Sequence, residues 1–207
     1  MIVVLILSSY AKELRSGYMC GAVSFEHLMG QHAAPLLAGP KPASLVSFRK
    51  SKFEDFDALI ASYETCFACK GISFCRLAEG EEYVLILFYR ACALEASLAS
   101  EKVRRLLDRY GYGGMASLGE MIEELKRRIR KKMTFPHEIG LFLGYPPEDV
   151  QGFIEHGGQS FAYSGYWKVY ANEEETRRLF DLYTECTRNF CRKLEDGMRF
   201  SEILQAG

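Results

Sequence analysis

The chain has 207 residues, 48% of them hydrophobic and 26% charged, an ordinary globular balance that fits no disordered class. Lys plus Arg (26) nearly cancel Asp plus Glu (27), so the net charge of -1 creates no global field that would recruit nucleic acid or an anionic membrane. The length favours one core over two, and we expect a single α+β domain over residues 19–207.

The opening "MIVVLIL" is the one hydrophobic start, but it lacks a basic leader and is too short to span a bilayer. Residues 1–18 read either as an edge strand or as a non-native upstream extension. The second reading arises because the codons for Arg15 and Ser16 can spell a ribosome-binding purine run just ahead of Met19.

"SFEHLMGQHAAPLL" (24–37) reads as a short helix stopped near Pro35, and "ASLVSF" (43–48) as a buried strand. Ser51 with Glu54 forms a capping box ahead of Phe53, Phe56, Leu59, Ile60, Tyr63 and Phe67, spaced by three and four, which predicts one amphipathic helix ending at Gly71. "GISFCRL" and "EEYVLILFYR" flank "AEGE", the pattern of an antiparallel hairpin.

Residues 93–110 are expected to be helical and to end at "GYGG". Ser117 with Glu120 caps a further helix that turns Met121, Leu125 and Ile129 inward and leaves Lys126, Arg127, Arg128, Arg130, Lys131 and Lys132 on its wet side. Pro136 suits a first helical turn and Gly144 its end, while Pro147, Glu148 and Asp149 open the next helix. "GYWKVYA" reads as a strand, with Lys168 alternating to the face opposite Trp167. Asn172 with Glu175 caps a long last helix striped by Leu179, Tyr183, Cys186, Phe190 and Leu194. In all we expect about four strands and about seven helices, without the regular strand-helix repeat of a parallel sheet.

Seven cysteines, an odd number in mostly apolar surroundings, read as reduced thiols in a cytosol. Cys66-x-x-Cys69 sits at the far end of its helix, where the dipole disfavours thiolate, so a redox pair is the weaker reading. His137-Glu138 opens like a metalloprotease helix, yet Leu141 stands where the second imidazole is needed, and no metal site is expected. "GYGGM" follows a helix instead of joining a strand to one, so a plain C-cap is preferred to a phosphate cradle. The basic run from Lys126 carries no interleaved aromatics and reads as solvated surface, not a nucleic-acid contact.

In the first turn of its helix His137 would meet open amides, and a neutral imidazole there can bond or exchange a proton with a small anion. The plainer alternative is a first-turn Glu138 that stabilises the helix and a His137 bonded to a neighbouring carbonyl. Lys41 lies in the stiff "GPKPASL" loop, beside Ser44, and Tyr145, Trp167 and Lys168 supply amphipathic and cationic surface. If these side chains converge, they form an anion-binding pocket.

"APLLAGPKPASLVSF", "FPHEIGLFLGYPPEDVQGFIEHGG" and "GYWKVY" together resemble the domain-of-unknown-function 3793 family, found mainly in anaerobic Firmicutes, and "FDLYTEC" and Gly197 are also in place. The resemblance runs from about residue 24 to the C-terminus. It implies a bacterial cytosolic protein of roughly this size without residues 1–18, and it implies no activity, ligand or cofactor. Its segments include Lys41, Pro42, Ser44, His137, Glu138, Gly140, Gly144, Tyr145, Pro146, Asp149, Gly165, Trp167, Lys168, Tyr170 and Cys186; the CxxC and the basic run lie outside them.

Three functions are compatible with these features. The first is a binding protein for a small anionic ligand or cofactor, using Lys41, Ser44, His137, Tyr145, Trp167 and Lys168. The second is an enzyme with His137 as general acid or base, Glu138 as its orienting group or Cys186 as nucleophile. The third is an interaction or scaffold protein using the basic helix or the Tyr-rich "FAYSGYW" surface. Oligomeric state and cofactor are not legible.

Overall fold

A computed structural model describes residues 24–132 and 136–206; residues 1–18 and the choice between Met1 and Met19 lie outside them. The architecture is α+β, with helices packed around antiparallel strands. The chain forms two compact units: a sheet unit of Val23–Glu95 with Leu182–Gly207, and an insert unit containing Ala96–Asp181.

In the sheet unit, α1 (Phe25–Leu37) begins at Ser24, whose hydroxyl accepts the His27 amide at 3.3 Å. It runs through Pro35 for two more residues. β1 (Ala43–Arg49) pairs with β3 (Tyr83–Arg90), which also pairs with β2 (Ile72–Glu79), giving the order β1-β3-β2, all antiparallel. The expected hairpin is β2-β3, closed by the Gly80 amide donating to the Tyr83 carbonyl at 2.9 Å. β3 is central, which is why Val84, Ile86, Leu87 and Phe88 are all buried and its apolar run is nearly continuous. Phe67 sits at the middle of the core with its ring against Phe25, Tyr63, Phe74, Phe88 and Phe200. Burying each such side chain contributes roughly 1.5–3 kcal/mol.

Two expectations need correction here. The cap after β1 is Asp55, not Ser51: the Asp55 carboxylate accepts the Ala58 amide at 2.9 Å, while Ser51 lies in a 3-10 turn (Lys50–Lys52). The helix then breaks at Tyr63, so α2 (Phe56–Ser62) and α3 (Glu64–Ala68) replace one long element. An aspartate and a serine four residues apart offer competing caps, and the one that leaves Phe56 and Ile60 buried prevails. Arg90, at the end of β3, donates to the carbonyls of Leu36 (3.0 Å), Leu37 (3.1 Å) and Lys70 (2.6 Å), closing the exposed ends of two neighbouring segments.

α4 (Ala91–Ala99) leads towards the insert unit, where α5 (Glu101–Leu107) restarts after Ser100 and unwinds through a π turn (Asp108–Tyr112) at Gly111. The predicted 93–110 helix is therefore interrupted. α6 (Leu118–Lys132) has the expected capping box: the Glu120 amide donates to Ser117 Oγ at 3.2 Å, and the Glu120 carboxylate accepts the Ser117 amide at 3.4 Å. Met121, Leu125 and Ile129 are buried. Lys126 and Arg127 pair with Glu123 and Glu124 on the surface, but Arg128 turns inward, with Nε 2.6 Å from Glu138 and Nη1 donating to the Tyr110 carbonyl at 2.6 Å.

α7 (Ile139–Phe142), α8 (Pro147–Glu155) and a two-residue ladder, β4 (Tyr163–Ser164) with β5 (Lys168–Val169), complete the insert together with the first turns of α9 (Glu173–Glu195). α9 continues into the sheet unit, where Tyr183 and Phe190 are buried. It is not the last helix. α10 (Phe200–Gln205) follows Gly197 and places Phe200, Ile203 and Leu204 in the sheet-unit core. Among the described residues, no helix is long and apolar enough to cross a membrane.

Candidate functional site

A cavity of about 130 Å³ opens in the insert unit between α7, α8 and the β4-β5 hairpin. Its apolar wall is Ile139, Leu143, Val150 and Phe153; His137, Tyr145, Trp167 and Lys168 also line it. Of the residues expected to bind a ligand, these last four therefore share one wall. Lys41 and Ser44 belong to the sheet unit, as does Cys186.

The wall is shaped by close approaches that only glycine permits. A Cβ on Gly140 would lie 2.8 Å from Val150, one on Gly152 2.5 Å from the Tyr170 ring, and one on Gly165 2.3 Å from Phe180. Gly144 ends α7 with φ 76°, turning the chain so that Pro146 and Pro147 can open α8.

Asp149, in the first turn of α8, ties that helix to the hairpin. It is 2% exposed; Oδ2 accepts the Trp167 indole N–H at 2.7 Å, and Oδ1 accepts the amides of Tyr170 (2.7 Å) and Ala171 (3.0 Å). Three donors on one carboxylate compensate the burial of its charge. Trp167 is fixed from both sides, stacked on Tyr145 with centroids 4.4 Å apart and set edge-on to Phe180 at 4.5 Å. The indole is thus a wall of the cavity and not an open stacking platform.

Lys168 does not point away from Trp167, contrary to the alternation expected of a strand. The ladder spans two residue pairs, and the Gly165 amide bonds the Trp167 carbonyl at 3.0 Å, so Trp167 belongs to the hairpin turn. The Lys168 ammonium donates to the Gly158 carbonyl and lies over the rings of Phe161 (4.7 Å) and Phe153 (5.9 Å). The His137 ring packs against the same Phe153 ring, centroids 5.4 Å apart. One phenyl group thus sits beside both nitrogenous side chains.

His137 is exposed and Glu138 is 2% exposed, so the neighbours face opposite ways. Glu138 is held by Arg128, with the Tyr112 hydroxyl at 3.5 Å, and makes a buried ion pair inside the insert. The amides expected to be open at the helix start are used: Gly140 donates to the His137 carbonyl at 3.3 Å and Leu141 to the Glu138 carbonyl at 3.0 Å. A helix of four residues spends its first amides within its own turn.

In the sheet unit Lys41 is 7% exposed, with its ammonium 5.8 Å from the Tyr183 ring centre, and burial pulls its pKa down to about 8. Ser44 is fully buried on β1. Cys186 is half-buried against the core, and burial pushes its thiol up. The described cysteines form no disulfide; Cys66 is half-buried with its thiol raised by burial, and Cys69 is exposed. A shallow groove at Gly113 and Gly114 is bordered by Glu120, Glu123 and Glu124 with Arg127, three acids to one base, a balance that disfavours a phosphate. Among the described residues no cluster of His, Cys, Asp or Glu is placed to hold a metal ion.

Sequence reasoning missed the parts played by Asp149, Phe153 and Phe180. Asp149 reads as a helix-start acid, and nothing local shows that its carboxylate reaches a strand about twenty residues on. Phe153 carried a usable signal, since Val150 and Phe153 are three apart on one helical face.

The family model described as "Protein of unknown function (DUF3793)" matches residues 29–204, most of the chain. The chain belongs to the DUF3793 family. Comparison with curated proteins and with solved structures returns no match. In this DUF3793 chain the matched span contains the described lining of the cavity, including Lys168 and His137, and the Asp149 clamp.

Proposed function

We propose that the protein is a bacterial cytosolic binding protein whose insert unit takes up a small organic anion. The observation that carries this reading is the placement of Lys168 and His137 beside one phenyl ring in a mainly apolar cavity. The Lys168 ammonium is held by a neutral carbonyl and aromatic faces, and an anion entering the cavity would gain from it in a setting of low dielectric. The Asp149 clamp and the Tyr145-Trp167-Phe180 stack hold the wall in shape before any ligand arrives, which lowers the ordering cost of binding.

Catalysis by His137 as general acid or base draws less support. Glu138 is engaged by Arg128, and Cys186 lies in the sheet unit with its thiol raised by burial. The test is thermal melting of the full chain against nucleotides, flavins, acyl carriers and small carboxylates. A true ligand at a hundred times its Kd would stabilise by about 2.7 kcal/mol. Unchanged melting across all of these anions would remove the proposal.

A further inference from the structure

Taking that binding reading as its basis, we propose that the ligand is a compact monocarboxylate: an apolar body the size of one aromatic ring or a short branched acyl chain, with its carboxylate at Lys168. Size is the first argument. A cavity of about 130 Å³ is close to the roughly 150 Å³ that takes up benzene and well below the roughly 300–1,000 Å³ of pockets that enclose drug-sized ligands and cofactors. A nucleotide or flavin would sit largely outside it.

The lining is the second argument. Ile139, Leu143, Val150 and Phe153 line the cavity with hydrocarbon, and the hydroxyl side chains beside them, Ser164, Tyr145 and Tyr166, are a minority of the wall, which favours an apolar body over a sugar. Charge is the third. Among the described residues no carboxylate lies within ion-pair distance of Lys168, while Asp149, the one acid on the wall, has its oxygens occupied by three N–H donors. The described lining thus presents one ammonium beside an imidazole, enough for a single negative charge.

Phosphate fits less well. Among the described residues no arginine lines the cavity, and the amides at the start of α7 already bond within their own turn. The carboxylate instead replaces water around Lys168 at the mouth, and the apolar body lies against Phe153 and Val150.

Trp167 is the only tryptophan of the chain and lines the cavity, so its emission reports this site alone. The full-length protein would be titrated with benzoate, isovalerate, benzyl alcohol, phenyl phosphate and AMP, following Trp167 emission and melting temperature together. Benzoate or isovalerate is expected to change both, with benzyl alcohol about tenfold weaker or worse, as expected for loss of one charge-assisted hydrogen bond. Lys168→Met, which keeps the stem and removes the charge, should weaken the carboxylate by about tenfold and leave benzyl alcohol unaffected. Should that variant not fold, the comparison of benzoate with benzyl alcohol on the unaltered chain decides alone. Benzyl alcohol binding as tightly as benzoate, or phenyl phosphate or AMP binding more tightly than either carboxylate, overturns the monocarboxylate while leaving a binding pocket in place. No response from these probes or from the wider anion panel overturns both readings.

Discussion

Asp149 shows how much one side chain can organise. With its oxygens accepting an indole N–H and two amides, it fixes the side chain of Trp167 and the backbone that follows β5. Asp149→Asn keeps the shape but turns an amide nitrogen towards the indole N–H, leaving a buried donor unpaired. We expect a loss of about 1–3 kcal/mol in urea unfolding and a red shift of Trp167 emission as the ring loosens. Gly165→Ala sets a methyl 2.3 Å from Phe180, whose ring is itself packed on Tyr163, Tyr166 and Trp167. Since Phe180 is buried against these three rings, making room for the methyl disturbs their packing, and the cost should be about 1–3 kcal/mol by the same measurement.

Lys41 gives a pH prediction at the same scale. Burial lowers its pKa from 10.5 to about 8, so between those values the unfolded chain holds the proton that the folded chain has released. Stability should therefore rise with pH across that window. The burial penalty, on the order of 3 kcal/mol, is full below pH 8 and gone above 10.5. Lys41→Met should flatten this rise in urea midpoints measured from pH 8 to 10.5. A slope unchanged by the substitution would assign it to other groups.

Among the elements, α6 separates what local pattern can and cannot reveal. Its capping box and its buried Met121, Leu125 and Ile129 follow from spacing along a single helix, and both are legible in the sequence. Arg128 is not, because its partner Glu138 comes ten residues later, beyond the helix, and a basic run on an amphipathic helix looks uniformly solvated. Nε approaches Glu138 at 2.6 Å without the N–H aligned on the oxygen, so the contact is an ion pair more than a hydrogen bond. Removing Arg128 strands a buried carboxylate, so Arg128→Met should cost about 3–5 kcal/mol; Glu138→Leu should cost less, because the partly exposed Arg128 keeps Glu124 and the Tyr110 carbonyl as partners. The double variant should recover much of that, as a double-mutant cycle in denaturant would show.

The strands tell a similar story. β3 announced itself by its near-continuous apolar run, but its central place depends on β1, whose pairing closes over more than thirty residues. The hairpin around Trp167 misled because two residue pairs are too short for period-two alternation to govern which side chain faces where. Likewise, the identities of His137, Tyr145, Trp167 and Lys168 as candidates were readable from residue type, whereas the clamp that gathers the hairpin onto α8 was not.

For the molecule as a whole, the sheet unit takes its core from both sides of the insert. Phe200 packs on Tyr63, Phe67 and Phe190, and Ile203 and Leu204 join the same cluster. Ending the chain after Glu195 would open a hole opposite Phe67. We expect the sheet unit then to lose its cooperative transition in near-ultraviolet circular dichroism melts, which record aromatic packing directly. The sequence stripe ending at Leu194 hid this helix, because six residues after a glycine turn carry too little periodicity to stand out.

This arrangement also bears on the order in which the polypeptide acquires its form while being made. The middle of the message encodes Ala96–Asp181, and every residue of that span has been polymerised while Phe190, Phe200, Ile203 and Leu204 are still unread. Translation adds about 5–20 residues per second, and regions complete in themselves generally fold as units. The stretch that begins later can therefore mature first, while β1, β2 and β3 wait with an unfilled aromatic interior for the tail to leave the ribosome.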